Sequence, residues 1–417
     1  MSMFVPFVDL KTQYRSIKPE IDQAIGEILE NAAFIMGKSV RDFESAFAEL
    51  HQSQFCVGTS SGTDALHLAL WGLGISKEDA VIIPVNTFFA TAEAIALCGA
   101  TPIFIDCDAN SYNIDIEKLK EFINNHCRTN EEGFLINLLT HQRIRCIIPV
   151  PLYGQPADLD PILGIAEKYQ LKVVEDACQA HLAEYLSKTS YKLNVDKLYG
   201  GQQDKNEPEE NKDLKAWRRV GSLGNAGAFS FYPGKNLGAY GEAGAVTTND
   251  PHLFEKMWLI HDHGSKEKYN HEVMGHNYRL EGIQAAVLNV KMKYIKSWTD
   301  KRRLNAKLYD QCLSEISEVS TPQEMEYARH VYHLYVIRAK QRDELKIFLQ
   351  QKGIDTGLHY PIPLHQQRAL AHLGYQKGNF PVSEKYAQEI LSLPMFPELT
   401  EDQISYVAKS IKEFYSR

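Results

Sequence analysis

GAFSFYPGKNLG, residues 227–238, is the stretch from which the organisation of this chain can be worked out. Its first half is a short apolar run rich in aromatic residues, which predicts a buried strand, and its second half is a turn rich in Pro and Gly. Lys235 stands in that turn. Because burial favours the neutral amine that attacks carbonyl carbons, a lysine held in this way suits Schiff-base chemistry. The alternative, from this segment alone, is a solvated surface lysine.

Short β-branched runs alternate with amphipathic stretches from about residue 55 to residue 250. The predicted strands are Phe55–Val57, Ala80–Pro84, Pro102–Asp106, Ile144–Val150, Leu171–Glu175, Ala226–Phe231 and Gly244–Thr247. Alternation of this kind predicts an α/β domain with a mostly parallel seven-stranded sheet that is covered by helices on both faces.

The alternation stops near Asn249, where an α+β pattern begins. The elements predicted beyond it are one long helix, one strand and two further helices, at Leu280–Ile316, His333–Arg338, Arg342–Gln351 and Asp402–Phe414. We therefore predict a large domain at residues 1–250, then an interdomain helix and a smaller C-terminal α+β domain within residues 251–417.

The composition excludes several classes of protein. The chain has 417 residues, a net charge of −8 and a pI near 6.0, which argue against a nucleic-acid partner or a polybasic membrane contact. No run approaches the ~18 apolar residues of a membrane helix, and no export signal pattern is visible, so we expect a cytoplasmic protein. The seven cysteines form no CxxC pair and predict buried thiols, with no metal site.

A second motif predicts an anion site. In GTSSGTDALHLAL, residues 58–70, a short strand ends in small hydroxylic and glycine residues and then turns into an apolar helix. Free backbone N–H groups at such a helix start, which Gly62 opens, are a ready site for a phosphate. The alternative is a plain helix cap, for which Ser, Thr and Asp also serve.

A third motif places an acid at the end of a buried strand. In LKVVEDACQAH, residues 171–181, Asp176 follows the apolar run, where open α/β sheets bind their ligands. A buried carboxylate is costly unless it meets a cation, so Asp176 requires a positive partner, such as a protonated pyridine nitrogen. The alternative is a helix cap for the turn at Ala177.

The three motifs match the three handles of pyridoxal 5′-phosphate (PLP): its phosphate, its ring nitrogen and its aldehyde. The chain resembles the DegT-type family of sugar aminotransferases, within the fold-type I (aspartate aminotransferase-like) PLP enzymes. The likeness runs from Phe7 to about Ile411, apart from a polar insertion at about residues 187–219. The matching motifs are SSGTDALHLAL, PVNTFFATAEAI, PLYGQPADLD, VVEDACQAH, FSFYPGKNLGAYGEAGAV, GHNYRLEGIQAA, HVYHLYV and HYPIPLHQ.

The resemblance implies a role for each matching residue. Lys235 forms the Schiff base with the cofactor and carries the proton between substrate and cofactor. Asp176 pairs with the ring nitrogen, and Gln179 bonds the ring hydroxyl. It also implies that Gly62, Thr63 and Ser230 donate to the phosphate and that Phe88 stacks on the ring. Asn277 is implied to donate to the phosphate of the neighbouring subunit's cofactor.

The implied activity is conversion of a keto-sugar to an amino-sugar, for instance for lipopolysaccharide, with L-glutamate as amino donor in a homodimer with shared active sites. The segments at Tyr153–Asp158 and His359–Pro361 resemble the subgroup that acts on nucleotide-linked 3-keto-6-deoxyhexoses. The implied substrate residues are Tyr14, Phe34, His359 and Tyr360. An unlinked keto-sugar acid and a PLP-binding regulator without turnover stay open as alternatives. Lys235 argues against the related sugar dehydratases, in which a histidine replaces this lysine.

The chain departs from the family in places that bear on substrate shape. Leu182 stands where the family often has Gly, and Glu242-Ala243 stand where it often has Asp-Gly. The insertion at Ser187–Arg219 is polar and has no apolar periodicity, and loops of this length are usually functional or mobile. We expect a flap near the substrate entrance or the dimer surface, with a passive surface loop as the alternative.

Overall fold

Helices and strands alternate through much of residues 3–188 and 216–417, which are the residues that the computed structural model describes. The α-helices are α1 (Leu10–Glu30), α2 (Lys38–Leu50), α3 (Gly62–Gly72), α4 (Phe89–Leu97), α5 (Ile116–His126), α6 (Leu159–Tyr169), α7 (Pro251–His261), α8 (Gly282–Met292), α9 (Ile295–Leu313), α10 (Arg342–Gln351), α11 (Pro381–Glu389) and α12 (Glu401–Tyr415). The strands of the large sheet are β1 (Phe55–Thr59), β2 (Asp79–Pro84), β3 (Thr101–Ile105), β4 (Cys127–Thr129), β5 (Leu135–Asn137), β6 (Arg143–Ile147), β7 (Lys172–Asp176), β10 (Ala226–Ser230) and β11 (Gly244–Thr248). The shorter sheets hold β8 (Glu184–Ser187), β9 (Ala216–Arg219), β12 (Ser265–Glu267), β13 (Asn270–His271), β14 (Val319–Ser320), β15 (Ala328–Arg329), β16 (Tyr335–Ala339) and β17 (Ile390–Leu393).

The large sheet is mostly parallel, as predicted. Its strands follow the order β1-β11-β10-β7-β6-β2-β3, and along this path β11 alone runs antiparallel to its neighbours. The strands β4 and β5 extend the sheet beside β6 and make it nine-stranded where seven strands were predicted. These two strands were missed because each is only three residues long, too short to show a periodic pattern.

Apolar side chains cover both faces of this sheet, as a buried parallel sheet requires. On one face α3, α4 and α7 pack against the alternate residues of β1 and β2. On the other face α5 and α6 pack against the intervening residues of β2 and β3. With both faces closed, a ligand can reach the sheet only at an edge, and the carboxyl ends of β1, β2, β7 and β10 meet at one edge.

The C-terminal part is built around a small antiparallel sheet of β14, β16 and β17. Its apolar core includes side chains of α9, α10 and α12. The single helix predicted at Leu280–Ile316 is in fact two helices, α8 and α9. No Pro or Gly marks the break. The chain turns there because α8 packs on α1 and α2, whereas α9 packs on α12.

The polar insertion lies outside the described residues except at its two ends. These ends form β8 and β9, which pair antiparallel with each other, and β15 pairs with β8. The prediction of a loop up to Arg219 was therefore wrong for Ala216–Arg219, where strand pairing overrides the polar sequence. The prediction of buried thiols fails for Cys312, which is exposed on α9.

Glu175 ties the loop before β10 to β7. Its buried carboxylate accepts the backbone N–H groups of Gly221, Leu223 and Gly224 at 2.8–2.9 Å. Burial raises the pKa of this carboxyl, and the three hydrogen bonds oppose that rise. The strand that leads to Lys235 is therefore registered against the strand that ends at Asp176 through one side chain.

We predict that Glu175→Ala destabilises the fold strongly. Three buried N–H groups lose their acceptor at about 1–3 kcal/mol each, so we expect a loss of about 3 kcal/mol or more in the free energy of unfolding. Urea denaturation measures it, with Glu167→Ala on the exposed face of α6 as the matched control. Equal midpoints for the two variants would contradict this role.

Candidate active site

A cavity of about 630 Å³ opens at the carboxyl edge of the large sheet. It brings together residues that lie far apart in the sequence, from the large sheet and from the C-terminal part. Nine of the site residues predicted from the sequence line it, namely Gly62, Thr63, Phe88, Asp176, Gln179, Ser230, Lys235, His359 and Tyr360.

The first turn of α3 offers free backbone donors to this cavity. Ser61 caps the helix, because its hydroxyl oxygen accepts the N–H of Asp64 at 3.1 Å. The hydroxyls of Ser60 and Ser61 donate to the Asp64 carboxylate. Within the described part of the chain, the amides of Gly62 and Thr63 have no acceptor. Two N–H groups at a helix N-terminus therefore remain for an anion.

Gly62 allows α3 to begin directly against β10. A Cβ at this position would lie 2.5 Å from the Cβ of Ser230 and 3.1 Å from Sγ of Cys178. Both distances are shorter than ordinary van der Waals contact, so any side chain here would push the helix away from the strand. The close approach also places the Ser230 side chain opposite the free amides.

Asp176 is held by a threonine that the sequence analysis missed. Its Oδ2 accepts the hydroxyl of Thr91 at 2.7 Å, and Thr91 in turn contacts the hydroxyl of Thr87 at 2.9 Å. The carboxylate is buried, and no basic side chain of the described residues forms an ion pair with it. It therefore faces the cavity as an oriented anion whose charge is available to a cationic ligand atom.

Lys235 lies in the turn between β10 and β11. Its backbone N–H donates to Tyr232 at 2.9 Å, and Ala239 closes the turn by donating to Phe231 at 2.8 Å. Burial lowers the pKa of the Lys235 ammonium, an effect that the charges of Cys178 and Asp176 oppose. Burial therefore shifts the Lys235 amine, which lines the cavity, towards its neutral, nucleophilic form.

Gln179 connects the two walls of the cavity. Its Oε1 accepts the N–H of Tyr153 at 2.7 Å, which fixes the amide orientation, and its Nε2 donates to the Tyr360 hydroxyl at 3.0 Å. The rings of Tyr360 and Phe88 lie 5.5 Å apart between centroids. Gln179, Tyr360 and Phe88 therefore form one continuous side of the cavity.

Two histidines line the cavity beside Lys235, of which His333 was not among the predicted site residues. Nδ2 of Asn236 donates to the carbonyl oxygen of Val331, which leaves Oδ1 of Asn236 facing Nδ1 of His333 at 3.3 Å. Because Oδ1 can only accept a hydrogen bond, Nδ1 of His333 must carry the proton. Nδ1 of His359 lies 2.8 Å from the Ser392 hydroxyl. Burial, with the charge of Lys235, lowers the pKa of His359 to about 4 and that of His333 well below its usual value. Both rings are neutral at neutral pH. The HVYHLYV motif was the only signal for His333.

Three predicted site residues do not line this cavity within one chain. Tyr14 donates its hydroxyl to Asp22 on α1, Phe34 is exposed between α1 and α2, and Asn277 is exposed before α8. The side-chain Nε–H of Arg279 donates to Oδ1 of Asn277 at 3.0 Å.

Two further features are absent from residues 3–188 and 216–417. No group of three or more His, Cys, Asp or Glu side chains is placed there to hold a metal ion. None of the helices in these ranges combines the length and the apolar character needed to cross a membrane.

We predict that Gly62→Ala weakens cofactor binding. The added methyl group forces α3 away from Ser230, so the two free amides and the Ser230 hydroxyl no longer converge, and we expect the Kd for PLP to rise at least about tenfold. Titration of the apoprotein with PLP measures this. Gly26→Ala on α1 is the matched control, because a Cβ there meets no atom within 4 Å. Similar affinities for both variants would contradict a phosphate site at Gly62, Thr63 and Ser230.

Comparisons with known proteins find relatives that match nearly the whole chain. The pleiotropic regulatory protein of Geobacillus stearothermophilus is 41% identical over 99% of both chains. The dTDP-3-amino-3,4,6-trideoxy-alpha-D-glucose transaminase of Streptomyces venezuelae is 35% identical over 99% of this chain and 97% of its own. The crystal structure of S. venezuelae DesV, in complex with a ketimine intermediate, superposes with a TM-score of 0.85 at 35% identity, over 99% of both chains.

A protein-family description matches residues 15–412, nearly the whole chain. The match includes every segment that lines the cavity except the short N-terminal stretch at Phe7–Val8. The chain belongs to the DegT/DnrJ/EryC1/StrS aminotransferase family.

Proposed function

We propose that this protein is a PLP-dependent aminotransferase that converts a nucleotide-linked 3-keto sugar to the 3-amino sugar, with L-glutamate as amino donor. One observation carries the proposal: the Lys235 amine, the Asp176 carboxylate and the free amides of α3 line the same cavity. An amine for an aldehyde, an acid for a ring nitrogen and N–H groups for a phosphate are the three contacts that PLP needs.

The residues present fit this cofactor. Gly62, Thr63 and Ser230 would hold the phosphate, since the amides of the first two have no acceptor in the described part of the chain. The Asp176 carboxylate, oriented by Thr91, would hold the ring nitrogen in its protonated form.

The aromatic side of the cavity suits the ring of this cofactor. Phe88, with its exposed ring, would stack on that ring, and Gln179 would reach the ring hydroxyl from beside Tyr360. The cavity volume of about 630 Å³ leaves room for a sugar beside the cofactor.

The protein's own groups divide the chemistry among them. When bound, PLP stabilises the negative charge that develops on the carbon next to the transferred nitrogen. Lys235 supplies a neutral amine that takes up and returns the proton at its Nζ. His333 and His359 stay neutral and do not compete with Lys235 for that proton. The carboxylate of Asp176 keeps its orientation through Thr91 throughout.

The charges of the cavity favour a neutral sugar ring over a sugar acid. Among the described residues that line it, Lys235 is the only lysine or arginine, and Glu242 adds a carboxylate. Because Lys235 would be engaged by the cofactor, a carboxylate on the sugar would meet Glu242 with no other lysine or arginine of this lining to offset it. The name of the S. venezuelae relative, a transaminase of a deoxygenated 3-amino sugar, agrees with this preference.

We propose that the active enzyme is a cytoplasmic homodimer in which Asn277 reaches the cofactor phosphate of the neighbouring subunit. Its Oδ1 is engaged by Arg279, which leaves its amide N–H groups exposed as donors. Large apolar side chains are exposed nearby in sequence, at Tyr269 and Met274, as expected of a surface that a second copy covers. A role for Tyr14 and Phe34 in substrate binding would have the same origin.

We also propose the division of the chain into a large domain at residues 1–250 and a second part at residues 251–417. The separate apolar core around β16 and β17 supports it.

A second candidate function is a regulator that binds PLP without turnover. The relative from G. stearothermophilus is named a pleiotropic regulatory protein, which favours this alternative. Against it, the cavity of about 630 Å³ leaves room for a sugar beside the cofactor, which a protein that only binds PLP would not need.

The amino-donor reaction separates the two functions. We predict that L-glutamate removes the absorbance band of lysine-bound PLP and that a nucleotide-linked 3-keto sugar restores it. Lys235→Ala should lose both changes and all turnover, because nucleophile and proton carrier are removed together. Lys172→Ala, at the exposed start of β7, is the matched control. A wild-type spectrum unchanged by L-glutamate would establish the regulator; turnover by Lys235→Ala would refute the site.

We predict that two inactive variants complement each other in a shared site. Lys235→Ala and Asn277→Ala should each be severely impaired alone. A heterodimer of the two contains one cavity with both residues intact, so co-expression should restore up to about half of the wild-type activity per dimer. The measurement uses heterodimers purified through two different affinity tags. Absence of recovery would mean that each site is built from one chain.

A further inference from the structure

One face of α8 holds the segment that directly follows Lys235. Gln284 and Lys291 lie seven residues apart, which is two helical turns or about 10 Å along the same face. Oε1 of Gln284 accepts the N–H of Tyr240 at 3.0 Å, and Nζ of Lys291 donates to the carbonyl oxygen of Gly238 at 2.7 Å. The helix thus binds this segment at two points, through one acceptor and one donor.

Lys291 is an unusual residue for the place it occupies. Its side chain is completely buried, with Nζ 4.3 Å from the centre of the Tyr240 ring. No carboxylate of the described residues lies within ion-pair distance, and the nearest acidic influence on its charge is Glu398. Burial lowers the pKa of Lys291 to about 8. A buried cation without an ion-pair partner is costly for folding, and a methionine of similar length would avoid that cost.

The turn between Lys235 and Gly238 couples the positions of these two residues. A side chain at Gly238 would overlap the carbonyl oxygen of Pro233, so the two ends of the turn are in contact. The intervening Asn236 is buried and donates to Val331 at 3.2 Å. With this turn packed on itself, a displacement of the Gly238 carbonyl displaces Lys235.

We propose that Lys291 is a positioning residue for Lys235: its buried ammonium holds the Gly238 carbonyl and thereby fixes the turn that presents the Lys235 amine to the cavity. This rests on the proposed function, in which Lys235 carries the cofactor. A charge-assisted hydrogen bond is shorter and stronger than a neutral one, and the Tyr240 ring adds a second attraction that directs the ammonium. Lys291 itself does not line the cavity and contacts neither cofactor nor substrate.

The test compares Lys291→Met, Lys291→Gln and Lys291→Arg as holoenzymes. Lys293→Met is the matched control, because Lys293 lies at the end of the same helix and forms an exposed ion pair with Glu20. Five quantities are measured: the thermal unfolding midpoint, the rate of PLP release on dilution, the pH midpoint of the PLP absorbance titration, and kcat and KM for L-glutamate.

Lys291→Met should change the unfolding midpoint little, since removal of a buried charge without an ion-pair partner offsets the loss of the donor to the Gly238 carbonyl. It should nevertheless release PLP faster, shift the absorbance midpoint by at least about 0.5 pH unit, and lower kcat at least about tenfold with KM little changed. Lys291→Arg should recover most of the wild-type absorbance midpoint, and Lys293→Met should match the wild type throughout. A role in stability alone would lower the unfolding midpoint and leave the absorbance titration unchanged.

Wild-type PLP release and absorbance midpoint in Lys291→Met would overturn the proposal. If Lys291→Met does not fold, the comparison of Lys291→Gln with Lys291→Arg decides: a wild-type midpoint in Lys291→Gln overturns the proposal, and a shift in Lys291→Gln but not in Lys291→Arg supports it. Borohydride reduction of the wild-type holoenzyme followed by peptide mapping locates the lysine that carries PLP. A label on another lysine would refute the proposed site itself, independently of Lys291.

Discussion

The parallel pairing of β7 with β10, which sets Ala228 beside Asp176, is the contact on which the site depends. It brings the end of one strand, with its buried acid, next to the strand that leads to Lys235. Glu175 reinforces the same register from the preceding residue by binding the loop before β10. The third partner, the start of α3, joins them because Gly62 leaves no side chain between helix and strand. A slip of one residue between β7 and β10 would separate acid from amine.

Two neutral histidines, His333 and His359, lie beside the Lys235 amine in the cavity. His333 and His359 both have a lowered pKa because they are buried and because Lys235 lies close to them. The orientation of each ring is set from outside the cavity, by Asn236 and by Ser392. The site therefore offers hydrogen-bond acceptors near the amine without adding positive charge. As a result, the histidines do not weaken the electrostatic attraction between Asp176 and a cationic ring nitrogen.

Much of the fold and part of the site could be predicted because buried parallel strands are continuous apolar runs that are followed by polar, functional residues. This signal located β7 with Asp176, and β10 with the turn of Lys235. It failed where tertiary contacts decide. Thr91 lies within an apolar helix and gave no sign of its bond to Asp176. The break between α8 and α9 has no Pro or Gly, and β9 forms in a polar stretch through pairing with β8. Tyr14, Phe34 and Asn277 were predicted at the site, but within one chain they do not line the cavity.

The pairing of β8 with β9 has a consequence for protein engineering. The ends Ser187 and Ala216 are registered opposite each other, which fixes them at the spacing of neighbouring strands, about 5 Å. The segment that connects them therefore begins and ends at nearly the same point, on a small sheet separate from the large one. The entropy of closing a loop rises only slowly with its length, so foreign sequence of very different lengths can be accommodated between these strands at similar cost. This connection is a natural place to insert a fluorescent or affinity module, whereas the connection between β10 and β11, which carries Lys235, admits no change in length.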